Sequence, residues 1–178
     1  RYKDLVVLQI DAHADLRDGY DGEHYSHAAA MRRVLDNPNV KLVSFGIRNI
    51  SQEEIPFLEK NGNRVKIYWA REKAQWNMKE IVKHFKGKPV YVTFDIDGFD
   101  SSLIPATGTP EPGGLFWDEA MTILREVAKV GHIVGADVNE LAPKPNLHGC
   151  DFLAAKLAYK ILSFAFLLSH RNKLKKAA

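Results

Sequence analysis

Five short apolar runs, rich in β-branched and aromatic residues, recur along the chain with helix-like segments between them. They occupy residues 5–10, 41–47, 65–68, 90–94 and 132–136, and their length and composition predict strands. Helical patterns lie at about residues 27–35, 51–60, 76–85, 118–130 and 151–168. Ser51 and Glu54 have the spacing of a capping box, and Gly62 and Gly87 fall where helices should stop. Strands that alternate with helices imply a largely parallel sheet covered on both faces. With no internal repeat, linker or low-complexity stretch, residues 1–178 read as one α/β domain.

Open parallel sheets place their chemistry beyond the carboxyl ends of the strands, and two of these strand ends are densely acidic. The first run leads into Asp11-Ala12-His13-Ala14-Asp15 and the fourth into Asp95-Ile96-Asp97-Gly98-Phe99-Asp100. Side chains at i, i+2 and i+4 of an extended segment share a face. Asp11, His13 and Asp15 can therefore converge, as can Asp95 and Asp97. If the two strands are neighbours, four carboxylates and one imidazole meet in a small volume. Two like charges about 4 Å apart cost roughly 4 kcal/mol at an effective dielectric near 20. Divalent cations remove that penalty, and a set rich in carboxylate with imidazole suits Mn²⁺ or another borderline-hard metal better than a thiolate site would. Five donors, some able to bridge, favour two metals over one, an arrangement that lowers the pKa of a shared water. Either cluster alone is a weak signal, because carboxylates commonly cap turns and helices.

The segment Asp95-Ile96-Asp97-Gly98 resembles the nucleophile motif of haloacid-dehalogenase-type phosphatases, but that reading leaves the Asp11 cluster unexplained. Asp11-Ala12-His13 resembles the first motif of metallophosphoesterases, whose Gly-Asn-His-Glu and Gly-Asp partners the sequence lacks. A third resemblance accounts for both clusters. The run from Phe94 to Leu115, with Pro105-Ala106-Thr107-Gly108-Thr109-Pro110 and Gly113-Gly114, is similar to the signature of the arginase/agmatinase family of ureohydrolases. Asp11 to Asp15 matches that family's Asp-Ala-His-x-Asp motif, and Asp137-Val138-Asn139-Glu140-Leu141-Ala142-Pro143 its glutamate-bearing third segment. The three matches stand in family order across nearly the whole chain.

The resemblance implies a three-layer αβα sandwich with a mainly parallel sheet and a dinuclear Mn²⁺ hydrolase that cleaves a guanidino group to urea and an amine. Asp11 and Asp95 match bridging metal ligands, Asp15 a ligand of one Mn²⁺, and His13 and Asp97 ligands of the other. Glu140 matches the carboxylate that grips the guanidinium, with Thr109 in support, and Asp15 would stabilise the tetrahedral intermediate and relay a proton. His27 matches the proton-transfer histidine, with His24 as its rival, whereas His84, His132, His148 and His170 match no motif and are expected to be structural or at the surface. Ser101 stands where the family usually has Pro. The family's remaining ligand, a His in a Gly-Gly-Asp-His-Ser segment, would precede residue 1, so the resemblance implies an N-terminally truncated domain. The chain opens on Arg1-Tyr2-Lys3-Asp4 without Met. The loop from Leu16 to Tyr25 is acidic and looks like that of agmatinases, which points to agmatine. Arg17 keeps guanidinobutyrate open as a substrate. Arginase activity, or a metal-binding fragment impaired in catalysis, also fits the three motifs.

Composition limits the partners. A net charge of +3, with much of the excess in the tail from His170 to Lys176, gives no argument for nucleic acid. The single cysteine, Cys150, suits a reducing cytoplasm and is expected to be structural, at the start of the last helix. The longest apolar stretch, residues 152–168, is interrupted by Lys156 and Lys160, and reads as a buried terminal helix rather than a membrane span. No signal peptide is visible. The expected partner is a small guanidino substrate, and the resemblance implies a homo-oligomer, trimeric or hexameric.

Overall fold

The structure is a computed structural model, which describes residues 2–169. The basic tail and His170 lie outside the described residues. Five strands, β1 (Val6–Ile10), β2 (Lys41–Ile47), β3 (Val65–Trp69), β4 (Pro89–Asp95) and β5 (His132–Asn139), form one sheet in the order β3-β2-β1-β4-β5. Every pairing is parallel. The chain builds outward from β1 to β3, then crosses back to place β4 on the other side of β1. The direction of winding therefore reverses between β1 and β4, where an open α/β sheet leaves a crevice for ligands.

The period of two along the strands sends alternate residues into two separate cores. Val6, Leu8 and Ile10 join Phe45, Val92 and Phe94 in one cluster, closed by α3 (Met78–Ile81), α4 (Trp117–Val130) and α5 (His148–Phe164). Val7, Leu42, Val65 and Ile67 face the other way, against residues of α1 (Ala30–Val34) and α2 (Ile55–Lys60). Helices on both faces of a parallel sheet make the three-layer sandwich that the pattern predicts.

Strand positions follow the predicted ones closely, and so does α4, but the first three helices are shorter and more broken, and the last begins three residues early. The first begins as a 3-10 turn, His27–Ala29, before α1. The predicted helix over 76–85 starts only at Met78, because Asn77 caps it by accepting a hydrogen bond from the Lys79 amide at 3.1 Å. The Ser51–Glu54 capping box is present: Glu54 accepts from the Ser51 amide at 2.7 Å. Gly87 has φ +71° just after the turn that ends at Phe85.

Helix α5 corrects the expectation of a buried terminal helix. Cys150, Ala154, Leu157 and Ile161 face the core, yet Phe152 is 70% exposed and Tyr159 61%. One stripe packs on β5 and α4 while an apolar face stays uncovered. His148–Ser169 is also long and apolar enough to cross a membrane by length and composition alone, so Lys156 and Lys160 do not by themselves argue against a span.

Candidate metal centre

Ile10 pairs with Phe94 in the parallel register of β1 and β4, so the next residues, Asp11 and Asp95, stand side by side at adjacent strand ends. Phe94 and Phe99 anchor the loop after β4 in the core, both fully buried, with ring centroids 5.0 Å apart. Between them Gly98 lies against the first loop: a Cβ there would meet the Asp11 amide nitrogen at 2.8 Å. Only glycine lets the two backbones approach so closely.

The side chains at this junction are tightly cross-linked. His13 Nδ1 lies 3.0 Å from Asp97 Oδ2 and 3.6 Å from Asp11 Oδ1. The His13 amide donates to Asp11 at 2.6 Å, the Ala12 amide to Asp97 at 3.0 Å, and the Asp97 amide to Asp95 at 2.9 Å. Asp11, His13 and Asp97 each offer a ligand atom within 4.8 Å of the others, a spacing that fits one cation. Asp95 and Asp15 lie beside this trio. All of the predicted residues, Asp11, His13, Asp15, His27, Asp95, Asp97, Thr109 and Glu140, line one cavity of about 550 Å³. His24 is absent from its wall and is exposed, against Arg33. The Thr109 hydroxyl, expected to support Glu140, donates instead to Asp97 Oδ2 at 3.3 Å.

The electrostatics are those of crowded acids. Burial pushes Asp11 up to about 6. Burial, and then the charge of Asp11, push Asp15 up to about 8 and Asp95 to about 9. Burial also works against ionised Asp97, but hydrogen bonds from His13 and the Ala12 amide leave it below the usual carboxylate range. His13 is raised to about 10 by its bonds to Asp11 and then Asp97, and so carries the positive charge that holds these acids together. A divalent cation would answer the same surplus of negative charge, and the oxygen-rich set with one imidazole fits Mn²⁺ or a similar ion.

Two cavity residues hold left-handed backbone without being glycine: Asp15 at φ +55° and Glu140 at φ +63°. Such strain costs on the order of 1–3 kcal/mol and clusters at functional sites. Sequence reasoning missed several partners. Buried Gln9 donates to Asp11 Oδ2 at 2.9 Å and is itself held by the Ser44 hydroxyl at 2.7 Å. A glutamine inside an apolar strand was the available signal. Glu54, read only as a cap, is buried, lines the cavity and accepts from the Leu16 amide at 2.7 Å.

A parallel α/β domain with a carboxylate–imidazole cluster at its topological switch point defines the class: an α/β domain with a candidate metal centre in its sheet crevice. The chain belongs to the arginase family, whose model matches residues 1–163. It is 40% identical over 164 residues to an N(1)-aminopropylagmatine ureohydrolase of Synechocystis, covering 90% of this chain and 52% of that protein. It is 37% identical over 148 residues to an agmatinase of Halalkalibacterium halodurans, covering 80% and 48%. Among solved structures, the agmatine ureohydrolase of Thermoplasma volcanium superposes with a TM-score of 0.77 at 30% identity, covering 92% of this chain and 55% of that one. The chain thus spans about half the length of the curated relatives it matches.

Proposed function

We propose that this chain carries the metal- and substrate-binding wall of a Mn²⁺-dependent ureohydrolase acting on an amine-terminated guanidine, agmatine or an N-substituted agmatine. The observation that carries the reading is the meeting of Asp11, His13, Asp15, Asp95, Asp97 and Glu140 around one cavity. Those five Asp and His side chains would hold the cations, with Asp11 and Asp95 as the shared ligands, and bound Mn²⁺ would supply an acidified water as nucleophile.

The remaining chemistry falls to the protein. A guanidinium stays protonated above pH 12 and its carbon is a poor electrophile, so it must be held in line with the nucleophile. Glu140, just past the end of β5, offers the planar two-point acceptor that a guanidinium fits. Asp15 would stabilise charge at the reacting carbon and pass a proton to the departing amine. His27 is exposed at the cavity wall, a position suited to exchanging protons with solvent.

Substrate choice rests on the loop after Asp15 and on the relatives named agmatinase and N(1)-aminopropylagmatine ureohydrolase. Arg17, the one feature that would favour guanidinobutyrate, also lines the cavity, where it meets Glu53 at 3.4 Å and the Tyr20 ring at 5.0 Å, so that substrate is kept in the test. The test is urea release with Mn²⁺ from agmatine, N1-aminopropylagmatine, arginine and guanidinobutyrate. Release from either of the first two supports the proposal. Exclusive use of arginine or guanidinobutyrate would reassign the substrate, and no release despite bound Mn²⁺ would leave a metal-binding protein without this activity.

A further inference from the structure

Arg48 directly follows β2, and its amide donates to the Ala12 carbonyl at 2.9 Å, beside the first metal motif. Its half-buried guanidinium is surrounded by main-chain carbonyls. Nε donates to Pro112 O at 2.9 Å and Nη1 to Gly46 O at 2.9 Å. Nη2 is shared by Asp97 O at 2.7 Å, Phe99 O at 3.1 Å and Glu111 O at 2.7 Å. Among the described residues its side-chain hydrogen bonds go to no carboxylate. Burial lowers the Arg48 pKa, partly offset by the nearby charges of Asp97 and Glu111.

These five carbonyls come from three segments: the end of β2, the turn after β4 that carries Asp97, and the loop from Thr107 to Gly114 that carries Thr109. The two loops also meet directly, through the parallel Phe99–Leu115 bridge and through the Asp100 carboxylate, which accepts from the Gly113 and Gly114 amides at 2.7 and 3.1 Å. Arg48 adds ties from the end of β2 to Asp97, Phe99, Glu111 and Pro112. A planar fork with five N–H donors can satisfy carbonyls in several directions at once, whereas a lysine ammonium has three donors and no fixed plane. The neighbouring Asn49 adds a second tie between the same strand end and the Thr109 loop, donating to Glu111 at 2.8 Å.

We infer that Arg48 is a positioning residue: its guanidinium clamps the Asp97 loop to the Thr109 loop and so sets the distance between the metal ligand Asp97 and the wall the substrate meets. The clamp is a statement about loop geometry, and its consequence for catalysis rests on the function proposed above. It predicts a local effect. In Arg48→Lys, two of the amides that span the loops serve as reporters: Ser101, which donates to Glu111 O, and Leu115, which donates to Gly98 O. Hydrogen exchange at both should be at least about tenfold faster than in the unsubstituted protein, while Leu8 and Val92 in the sheet keep their rates. Mn²⁺ affinity by calorimetry should fall about tenfold. Arg48→Gln, which keeps an N–H donor but neither charge nor fork, should open the loops at least as far and serves if the lysine variant does not fold. Unchanged exchange at Ser101 and Leu115 would overturn the clamp, as would equal acceleration at all four amides, which would make Arg48 a general stabiliser. If the unsubstituted protein binds no Mn²⁺, the metal reading fails on its own and the exchange rates alone judge the clamp.

Discussion

The imidazole of His13, just beyond β1, lies 3.0 Å from the carboxylate of Asp97, just beyond β4. The contact joins the two acidic motifs into one centre and follows from the register that pairs Ile10 with Phe94. Without a metal, that bond is a charge-assisted one between imidazolium and carboxylate. Metal ligation needs the neutral imidazole, so cation binding must release the proton.

Proton release gives a pH dependence with a defined sign. Asp11, Asp15 and Asp95 have folded-state values of about 6, 8 and 9, all above the carboxylate reference of 3.8, and His13 is raised to about 10 from 6.5. Each group holds its proton more tightly folded than unfolded. The metal-free protein should therefore lose stability as pH rises from about 4 through these values. Asp97 acts in the opposite sense, and only at lower pH. Mn²⁺ binds the deprotonated set, so its affinity should rise over the same interval and the stability curve should flatten. Thermal melts between pH 5 and 9, with and without Mn²⁺, measure both trends. A metal-free midpoint that climbs with pH would contradict these protonation states.

Gln9 offers a test of the centre that leaves every proposed metal ligand in place. Its amide fixes Asp11 Oδ2, and the Ser44 hydroxyl fixes Gln9. Partners that orient a metal ligand typically contribute 10–100-fold in metal affinity. Gln9→Leu, nearly the same size and compatible with the surrounding strand, should weaken Mn²⁺ binding by about that factor while the protein still folds. Calorimetric titration of Mn²⁺ reads it, and an unchanged Kd would mean that the Asp11 rotamer is held without Gln9.

Much of this was legible in advance, for reasons that differ by element. The strands were, because period and β-branching are local properties, and so was the convergence of Asp11 with Asp95, because both motifs end strands of a parallel sheet. Helix ends were less so: Asn77 captures a helix start through one side-chain bond, which no periodicity reveals. The exposed face of α5 was misread because an apolar run shows hydrophobicity without showing what covers it. Arg48 was unreadable for another reason. Its partners are carbonyl oxygens, which every residue has, so no sequence pattern marks them.

His27 and His24 can be separated by their positions. His27 lines the cavity, whereas His24 does not and is paired with Arg33. If His27 exchanges protons with solvent, His27→Asn should lower urea release about 100-fold, the lower end of general acid–base contributions. Bound Mn²⁺ should be unchanged, and added imidazole should restore part of the rate. His24→Asn should stay within about twofold of the parent. Equal losses in both variants would mean that the loop matters as a structural unit and that neither imidazole is the shuttle.

Glu140 combines a strained backbone with the proposed grip on the guanidinium, and two substitutions pull these roles apart. Glu140→Gln keeps the backbone and the size but removes the charge, so turnover should fall sharply, with metal content and stability nearly unchanged. Glu140→Gly also removes the carboxylate, yet it relieves the φ of +63° that a side chain makes unfavourable. Relief of about 1 kcal/mol should raise the thermal midpoint by about 2–4 °C in a domain of this size. Part of that gain is offset because glycine loses more backbone entropy on folding than any other residue. The expected outcome is therefore a variant that is inactive and no less stable, the pattern of a residue whose conformation is retained for function. A clear fall in the midpoint of Glu140→Gly would show that the side chain is needed for packing. Near-normal urea release from Glu140→Gln would remove the guanidinium role, and with it the strongest reason to read this cavity as a ureohydrolase site.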